Sequence, residues 1–150
     1  MSAVVGDAAD LSRFRDDEFE VVVSNSVIEH LPTHELQMRM ASEVRRVGKR
    51  LYLQTPNRYF PLEPHFLFPF FALLPITVRA WLLQRMNLGW HQRRPERAEA
   101  LADVQSIRLM TGRELAAAFT GAQITRERFI GFTKSFIVLD GWGDEESPNA

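Results

Sequence analysis

Residues 19–53 constrain the fold of this chain more than any other part of its sequence. Residues 19–23 include a β-branched apolar run, which is typical of a strand buried on both faces of a sheet. A helix is predicted from Pro32-Thr33 to Gly48, and its apolar side chains recur at helical spacing: Leu36, Met40, Val44 and Val47. A second strand follows at 51–53. This order predicts a βαβ unit with parallel strands and a right-handed crossover.

The C-terminal third contains a further helix and two strands. Thr111 and Glu114 have the spacing of a capping box, so a helix is predicted to begin there and to end at Gly121. Strands are predicted at 124–132 and 134–139, joined around Phe132-Thr133. We therefore expect a single α/β domain over 1–150.

Composition excludes several classes of function. The 18 Lys and Arg residues nearly balance the 19 Asp and Glu residues, which argues against a nucleic-acid-binding domain. The absence of cysteine excludes disulfide scaffolds, thiol nucleophiles and Cys-based zinc sites. We see no signal peptide and no apolar run long enough to span a bilayer, and we expect a cytoplasmic protein.

Polar residues follow the predicted strands, where ligands of doubly wound sheets bind. Gly6-Asp7-Ala8 follows a short apolar stub, Val4-Val5, and Ser24-Asn25 ends the strand at 19–23. The Asp7 carboxylate could accept from an exocyclic amine while the Ala8 N–H donates to a ring nitrogen, which together fit an adenine edge. The alternative is that Asp7 is only a turn residue.

Several of these motifs occur in the order found in a known family. They are Gly6-Asp7-Ala8, residues 19–24, the Val27–Leu31 segment with its Glu-His-Leu turn, Thr55-Pro56-Asn57, residues 59–65 and Lys134-Ser135. In this order the sequence resembles class I S-adenosylmethionine-dependent methyltransferases, and most closely the small-molecule group often called type 11. The resemblance runs from Gly6 to about Asp140.

The resemblance implies S-adenosylmethionine as the cofactor and assigns roles to particular residues. Asp7 and the Ala8 N–H would contact adenine, and Ser24 and Asn25 would line the methionine half. Glu29 would border the cofactor, and His30 would belong to the catalytic side of the same segment. The alternative for the Glu29-His30 pair is that it caps the helix beginning near Thr33.

The glycine-rich loop of this family is missing from the sequence. The acidic residue that ends the second strand and holds the ribose is missing as well, and the one G-x-G, Gly141-Trp142-Gly143, lies at the wrong end of the chain. The resemblance therefore implies the C-terminal portion of a methyltransferase domain, with a partial, doubly wound, Rossmann-like sheet that is mostly parallel and has an antiparallel last strand. Three explanations of the missing part remain open: a mis-called start, a gene fragment and a genuine short protein.

His65 is the best candidate for a catalytic base, because its ordinary pKa suits proton transfer near neutrality. The alternative is a packed polar residue among prolines and phenylalanines. His34 and His91 resemble surface residues, and the scattered histidines do not predict a metal site. Oxygen, nitrogen and carbon acceptors all remain open.

Residues 58–105 are rich in aromatic residues and proline, with a helix predicted from Pro75 and either a polar helix or a mobile loop at 92–103. This segment could cap the sheet, form a lid for a small apolar or amphipathic methyl acceptor, or contact a membrane surface. Arginines are available for anionic headgroups: Arg79, Arg85, Arg93 and Arg94. Rival functions are a non-catalytic methyltransferase-like remnant serving as a binding module and a membrane-surface accessory protein.

The truncation also predicts an exposed strand edge. In the resembled fold, the strand at 19–23 is central and pairs with the first strand of the sheet, which the sequence lacks. A hydrophobic strand with an open edge is a template for pairing with another chain. We therefore expect aggregation or an edge-strand dimer.

Overall fold

The computed structural model describes residues 5–143; Val4 and the acidic tail at 144–150 lie outside the described residues. The strands are β1 Val22–Asn25, β2 Leu51–Pro56, β3 Leu62–Glu63, β4 Phe68–Pro69, β5 Gln123–Phe129 and β6 Phe132–Asp140. The helices are α1 His34–Val47, α2 Ile76–Arg85, α3 Arg97–Gln105 and α4 Gly112–Ala118. Short 3₁₀ turns lie at Ile28–His30 and Phe71–Leu73.

The main sheet has the strand order β1-β2-β6-β5. Strands β1 and β2 are parallel, with Val22 opposite Leu51, and they are joined through α1. Strand β6 is antiparallel to both of its neighbours, β2 and β5. Three of the four strands therefore run in one direction and the last runs against them, which confirms the predicted fold class.

Helix α1 is delimited by the two residues that the sequence indicates. The Thr33 hydroxyl accepts a hydrogen bond of 3.2 Å from the Leu36 N–H, which satisfies one of the free donors of the first turn. Gly48 ends the helix, and a Cβ there would lie 2.5 Å from Cγ2 of Val22. Only glycine lets the chain leave α1 this close to β1, so the crossover is tight.

The main core lies between one face of the sheet and helices α1 and α4. It contains the buried side chains of Ile28, Met40, Ala41, Val44, Leu51, Leu53, Met110, Leu115, Ala118, Phe119, Phe136 and Val138. The capping box is present as predicted, since Thr111 and Glu114 each accept from the other's N–H, at 3.2 and 2.7 Å. This packing fixes the positions of β1 and β2, and so the place where both strands end.

Residues 62–107 enclose a second apolar cluster between α2, α3 and the short β3–β4 hairpin. Its buried members are Phe66, Phe71, Ala80, Leu83, Leu88, Ala100 and Val104. The polar stretch at 92–103, for which the sequence left a helix and a loop open, contains the first part of α3. None of the helices within the described range 5–143 is long and apolar enough to cross a membrane.

Three predicted boundaries are wrong, and one of them is the end of α4, which lies at Ala118 rather than at Gly121. Strand β1 begins at Val22 rather than at Phe19, which makes only an isolated bridge to Gly48. The turn between the last two strands lies at Ile130-Gly131 rather than at Phe132-Thr133, because both of its residues adopt the positive φ that a tight hairpin turn demands, +49° and +80°.

Strand β1 lies at the edge of the sheet as far as the described residues extend. Val23 belongs to this strand and is 68% exposed. We expect the 150-residue chain to self-associate along β1. Val23→Lys places a charge there and should shift the chain towards monomer, because edge charges oppose strand pairing. Size-exclusion chromatography with light scattering measures the shift.

Val5→Lys is the matched control, since Val5 is 99% exposed and lies outside every strand. It adds the same charge away from the β1 edge and should leave self-association unchanged. A wild-type chain that is monomeric at every concentration would contradict edge pairing.

Candidate functional site

The candidate site is built at the carboxyl ends of β1 and β2. After β1 the chain turns at Ser26, which has a φ of +53° and whose N–H donates to the Gln54 carbonyl at 3.0 Å. The 3₁₀ turn that follows brings Glu29 back over the end of β2. Ligands of open α/β sheets bind at this edge, so the position itself marks a candidate site.

The Glu29 carboxylate is completely buried. Its Oε2 accepts from the Thr55 hydroxyl at 2.9 Å, while Oε1 has no hydrogen-bond partner among the described residues. A buried carboxylate oxygen without a donor is costly, because it has lost water and gained nothing in return. This oxygen therefore keeps an unused acceptor position.

The turn that carries Glu29 is held from two sides. The Arg108 N–H donates to the Glu29 carbonyl at 2.8 Å. The buried Gln37 side chain donates from Nε2 to the carbonyls of Ile28 and Arg108, at 3.0 and 2.8 Å. These bonds join α1, the 3₁₀ turn and the chain before α4, and they fix the orientation of Glu29.

A second buried carboxylate, Glu63, orients His65. Oε2 of Glu63 accepts from the His65 and Phe66 N–H groups at 2.9 and 2.6 Å, and Oε1 lies 2.7 Å from Nδ1 of the His65 ring. With a proton on Nδ1, the lone pair of Nε2 faces away from Glu63. Burial by itself lowers the pKa of His65, but the hydrogen bond and charge of Glu63, with the charge of Glu29, outweigh it and raise that pKa.

Glu29, His30 and His65 form one cluster. One ligand atom from each lies within 4.8 Å of the other two, and the two imidazole rings meet edge to face with centroids 5.2 Å apart. Glu29 is buried, His65 is half-buried and His30 is exposed, so the cluster opens to solvent on the His30 side. Its donors are of the kind that hold a divalent cation or activate a bound hydroxyl.

Ser24 and Asn25, expected to line the methionine half of the cofactor, lie at the end of β1. The Ser24 hydroxyl is buried and has no partner within the described chain, whereas Asn25 is exposed and accepts a 3.4 Å hydrogen bond from the Ser26 hydroxyl. Both lie at the carboxyl ends of the strands, where Glu29 also lies, and their cofactor contacts stay predictions.

Asp7 and Ala8 lie in a turn docked onto α1. Oδ1 of Asp7 accepts from the Ala9 N–H at 2.8 Å, which is the contact of a turn residue, and the Asp7 side chain is exposed. The following Leu11 N–H donates to Glu43 of α1 at 2.8 Å. The adenine contacts expected of Asp7 and the Ala8 N–H stay predictions.

An arginine-lined cavity that sequence reasoning missed adjoins Glu63. It has a volume of about 220 Å³, and Glu63 and the rings of Phe66 and Phe71 form part of its wall. Three arginines also line it: Arg58, Arg79 and Arg108. Arg108 is paired with Glu114, but Nε of Arg79 is buried with no partner in the described part of the chain. Burial, and then the charge of Arg58, lower the pKa of Arg79.

The comparisons with known proteins agree with this architecture. Residues 1–53 match the family model described as "Methyltransferase domain". Two uncharacterized proteins of Mycobacterium tuberculosis, from different strains, are 34% identical over 64 residues, which is 43% of this chain and 22% of each relative.

A SAM-dependent methyltransferase of Methanosarcina mazei shares the fold, with a TM-score of 0.54 and 17% identity over 91% of this chain and 64% of its own. A Bordetella parapertussis protein described as a possible exported protein also shares it, with a TM-score of 0.51 and 12% identity over 89% of this chain and 41% of its own.

These findings confirm the resemblance to class I S-adenosylmethionine-dependent methyltransferases. The fold is Rossmann-like, and the matched family model is that of a methyltransferase domain. The aligned segment spans about a fifth of the two mycobacterial relatives, 22% of each.

Thr55 supports the cluster through a single hydroxyl, which gives a direct test. Thr55→Val keeps the shape but leaves both Glu29 oxygens without a donor, so the free energy of unfolding should fall by about 1–3 kcal/mol. Urea unfolding at neutral pH measures the change. Thr55→Ser retains the donor and should lose clearly less, and equal losses in the two variants would contradict the role given to this hydrogen bond.

Proposed function

We propose that this chain forms the acceptor-binding side of an S-adenosylmethionine-dependent methyltransferase acting on a small amphipathic acid. The observation that carries the proposal is the cluster of Glu29, His30 and His65 at the carboxyl ends of β1 and β2. The match of residues 1–53 to a methyltransferase domain supports the reaction type.

The position of the cluster suits methyl transfer. S-adenosylmethionine supplies an electrophilic methyl group on a sulfonium, and the acceptor needs alignment and, where its nucleophile carries a proton, a route for that proton. Ser24, Asn25 and Glu29 would face the cofactor, together with Asp7 and Ala8. His30 and His65 would face the acceptor as the catalytic residues.

The acceptor class is inferred from the cavity beside Glu63. Arg58 and Arg79 give it positive charge, and the Phe66 and Phe71 rings give it an apolar wall. Arginine pairs strongly with carboxylate and phosphate groups, especially where water is excluded. An acceptor with an acidic group and an apolar body would therefore bind with its acid in this cavity.

The cofactor side requires backbone donors that these 150 residues do not supply, because they contain no glycine-rich loop after a strand. We propose that the chain is the C-terminal portion of the domain and needs a glycine-rich segment for tight cofactor binding. Isothermal titration of the 150-residue chain should show weak S-adenosylmethionine binding or none. Submicromolar binding would contradict this proposal.

Asp7 is tested in a chain fused to the glycine-rich segment of a class I methyltransferase. Asp7→Ala should weaken cofactor binding by about 1–3 kcal/mol, the value of a lost paired polar contact. Asp10→Ala is the matched control, because Asp10 lies in the same loop and also accepts from a nearby N–H, that of Ser12 at 3.1 Å. Equal effects would leave Asp7 as a turn residue.

The acid-binding role of the cavity is tested with octanoate and its uncharged amide. Octanoate should raise the unfolding temperature of the wild-type chain more than octanamide does, and Arg79→Gln should abolish the difference. Arg85→Gln on the same helix is the control, because Arg85 lies over the Trp81 ring and does not line the cavity. Equal shifts with acid and amide would contradict an acidic acceptor.

A second proposal concerns the outer surface of residues 62–107. This surface exposes large apolar side chains: Leu67, Phe70, Leu73, Val78, Trp81 and Trp90. Exposed aromatic residues beside arginines suit the boundary between lipid headgroups and acyl chains. Contact with a membrane surface would bring an amphipathic acceptor close to the cavity, so the two proposals are compatible.

A further inference from the structure

We propose that Glu29, His30 and His65 bind a divalent transition-metal ion, with Zn²⁺ the best match to the donors. The cluster brings together two imidazoles and one carboxylate, and their ligand atoms already lie within 4.8 Å of one another. Metal binding at this place does not depend on methyl transfer, so the inference can be tested by itself.

The donor set favours a transition metal over Mg²⁺ or Ca²⁺. Imidazole nitrogen suits Zn²⁺, Fe²⁺ and related ions, whereas Mg²⁺ and Ca²⁺ prefer oxygen donors. Zn–N and Zn–O bonds of about 2.0–2.2 Å place tetrahedral ligand atoms about 3.3 Å apart. The three ligand atoms now lie within 4.8 Å of one another, so metal binding would draw them closer together.

Oε1 of Glu29 provides a second, independent observation. This oxygen is completely buried and has no hydrogen-bond partner among the described residues, although Oε2 of the same carboxylate is bonded to Thr55. Buried polar atoms are seldom left without a partner. A cation next to Oε1 would satisfy it.

The groups behind the ligands are those that metal sites use. Metal-binding histidines usually donate their second ring N–H to a carboxylate, and Glu63 lies 2.7 Å from Nδ1 of His65. The resulting tautomer leaves the Nε2 lone pair for the metal. The carboxylate ligand is oriented in the same way, because Thr55 donates to its other oxygen at 2.9 Å.

Three protein ligands leave a fourth position open on the exposed His30 side, as in catalytic zinc sites. Within the proposed function, the metal ion would lower the pKa of an acceptor hydroxyl bound there. The hydroxyl would then release its proton to solvent at a lower pH than it does in water. Its oxygen would then form the O–CH₃ bond while the C–S bond breaks and the sulfonium becomes a neutral thioether. His65 would then be a ligand rather than the proton acceptor expected from the sequence.

The test uses the 150-residue chain freed of metal by dialysis against a chelator. Titration with Co²⁺ should produce the visible absorption of a nitrogen- and oxygen-ligated site at one equivalent, and Zn²⁺ should displace it. Glu29→Gln, His30→Ala and His65→Ala should each weaken binding at least about tenfold, and Glu63→Gln by about 10–100-fold. His34→Ala is the matched control, because His34 begins α1 outside the cluster.

Thermal unfolding with and without Zn²⁺ distinguishes a loss of metal binding from a loss of folding. Zn²⁺ should raise the midpoint of the wild-type chain and of His34→Ala clearly more than that of His30→Ala. His30 is exposed, so its replacement by alanine should not disturb folding. No binding by the wild-type chain, or binding that His30→Ala leaves unchanged, would overturn the metal site. The acid-binding and cofactor measurements need no added metal, so their failure would affect only the proposed function.

Discussion

Burial of the Glu29 carboxylate is the constraint on which the rest of the site depends. A carboxylate loses its hydration when it is buried, and among the described residues only the Thr55 hydroxyl donates to this one. The Arg108 N–H donates to the main-chain carbonyl of the same residue. The turn after β1 cannot move without breaking these bonds. It therefore holds Glu29 over the end of β2 with His30 next to it in the chain, and the position of the cluster follows.

Glu63 repeats the same arrangement from the opposite side. Its Oε2 accepts from two backbone N–H groups and its Oε1 faces Nδ1 of the His65 ring, so the carboxylate is compensated by its own short segment. Such local compensation lets a buried charge be carried by a segment that lacks long helices or strands. The hairpin of β3 and β4 can thus present His65 with a defined ring orientation.

The sequence predicted those parts of the molecule that depend on short-range pattern. The βαβ unit with its parallel strands and the caps at Thr33 and Thr111 follow from spacing and residue type. The pairing of His30 with His65 could not be read in this way, because it depends on where residues 59–65 return after β2. A scattered set of histidines therefore predicted no metal site, although the fold brings two of them together with Glu29.

Glu63 lies between the cluster and the arginine cavity, so it separates the two parts of the site. One of its oxygens orients His65, and the same side chain forms part of the wall shared with Arg58 and Arg79. An acid held by the arginines would lie on one side of Glu63 and the reacting group on the other. On the proposed function, the acceptor would have to be long enough to pass this carboxylate, and the Phe66 and Phe71 rings would favour an apolar chain for that part. If that proposal holds, the fold constrains both the charge at one end of the acceptor and the distance to its reacting atom.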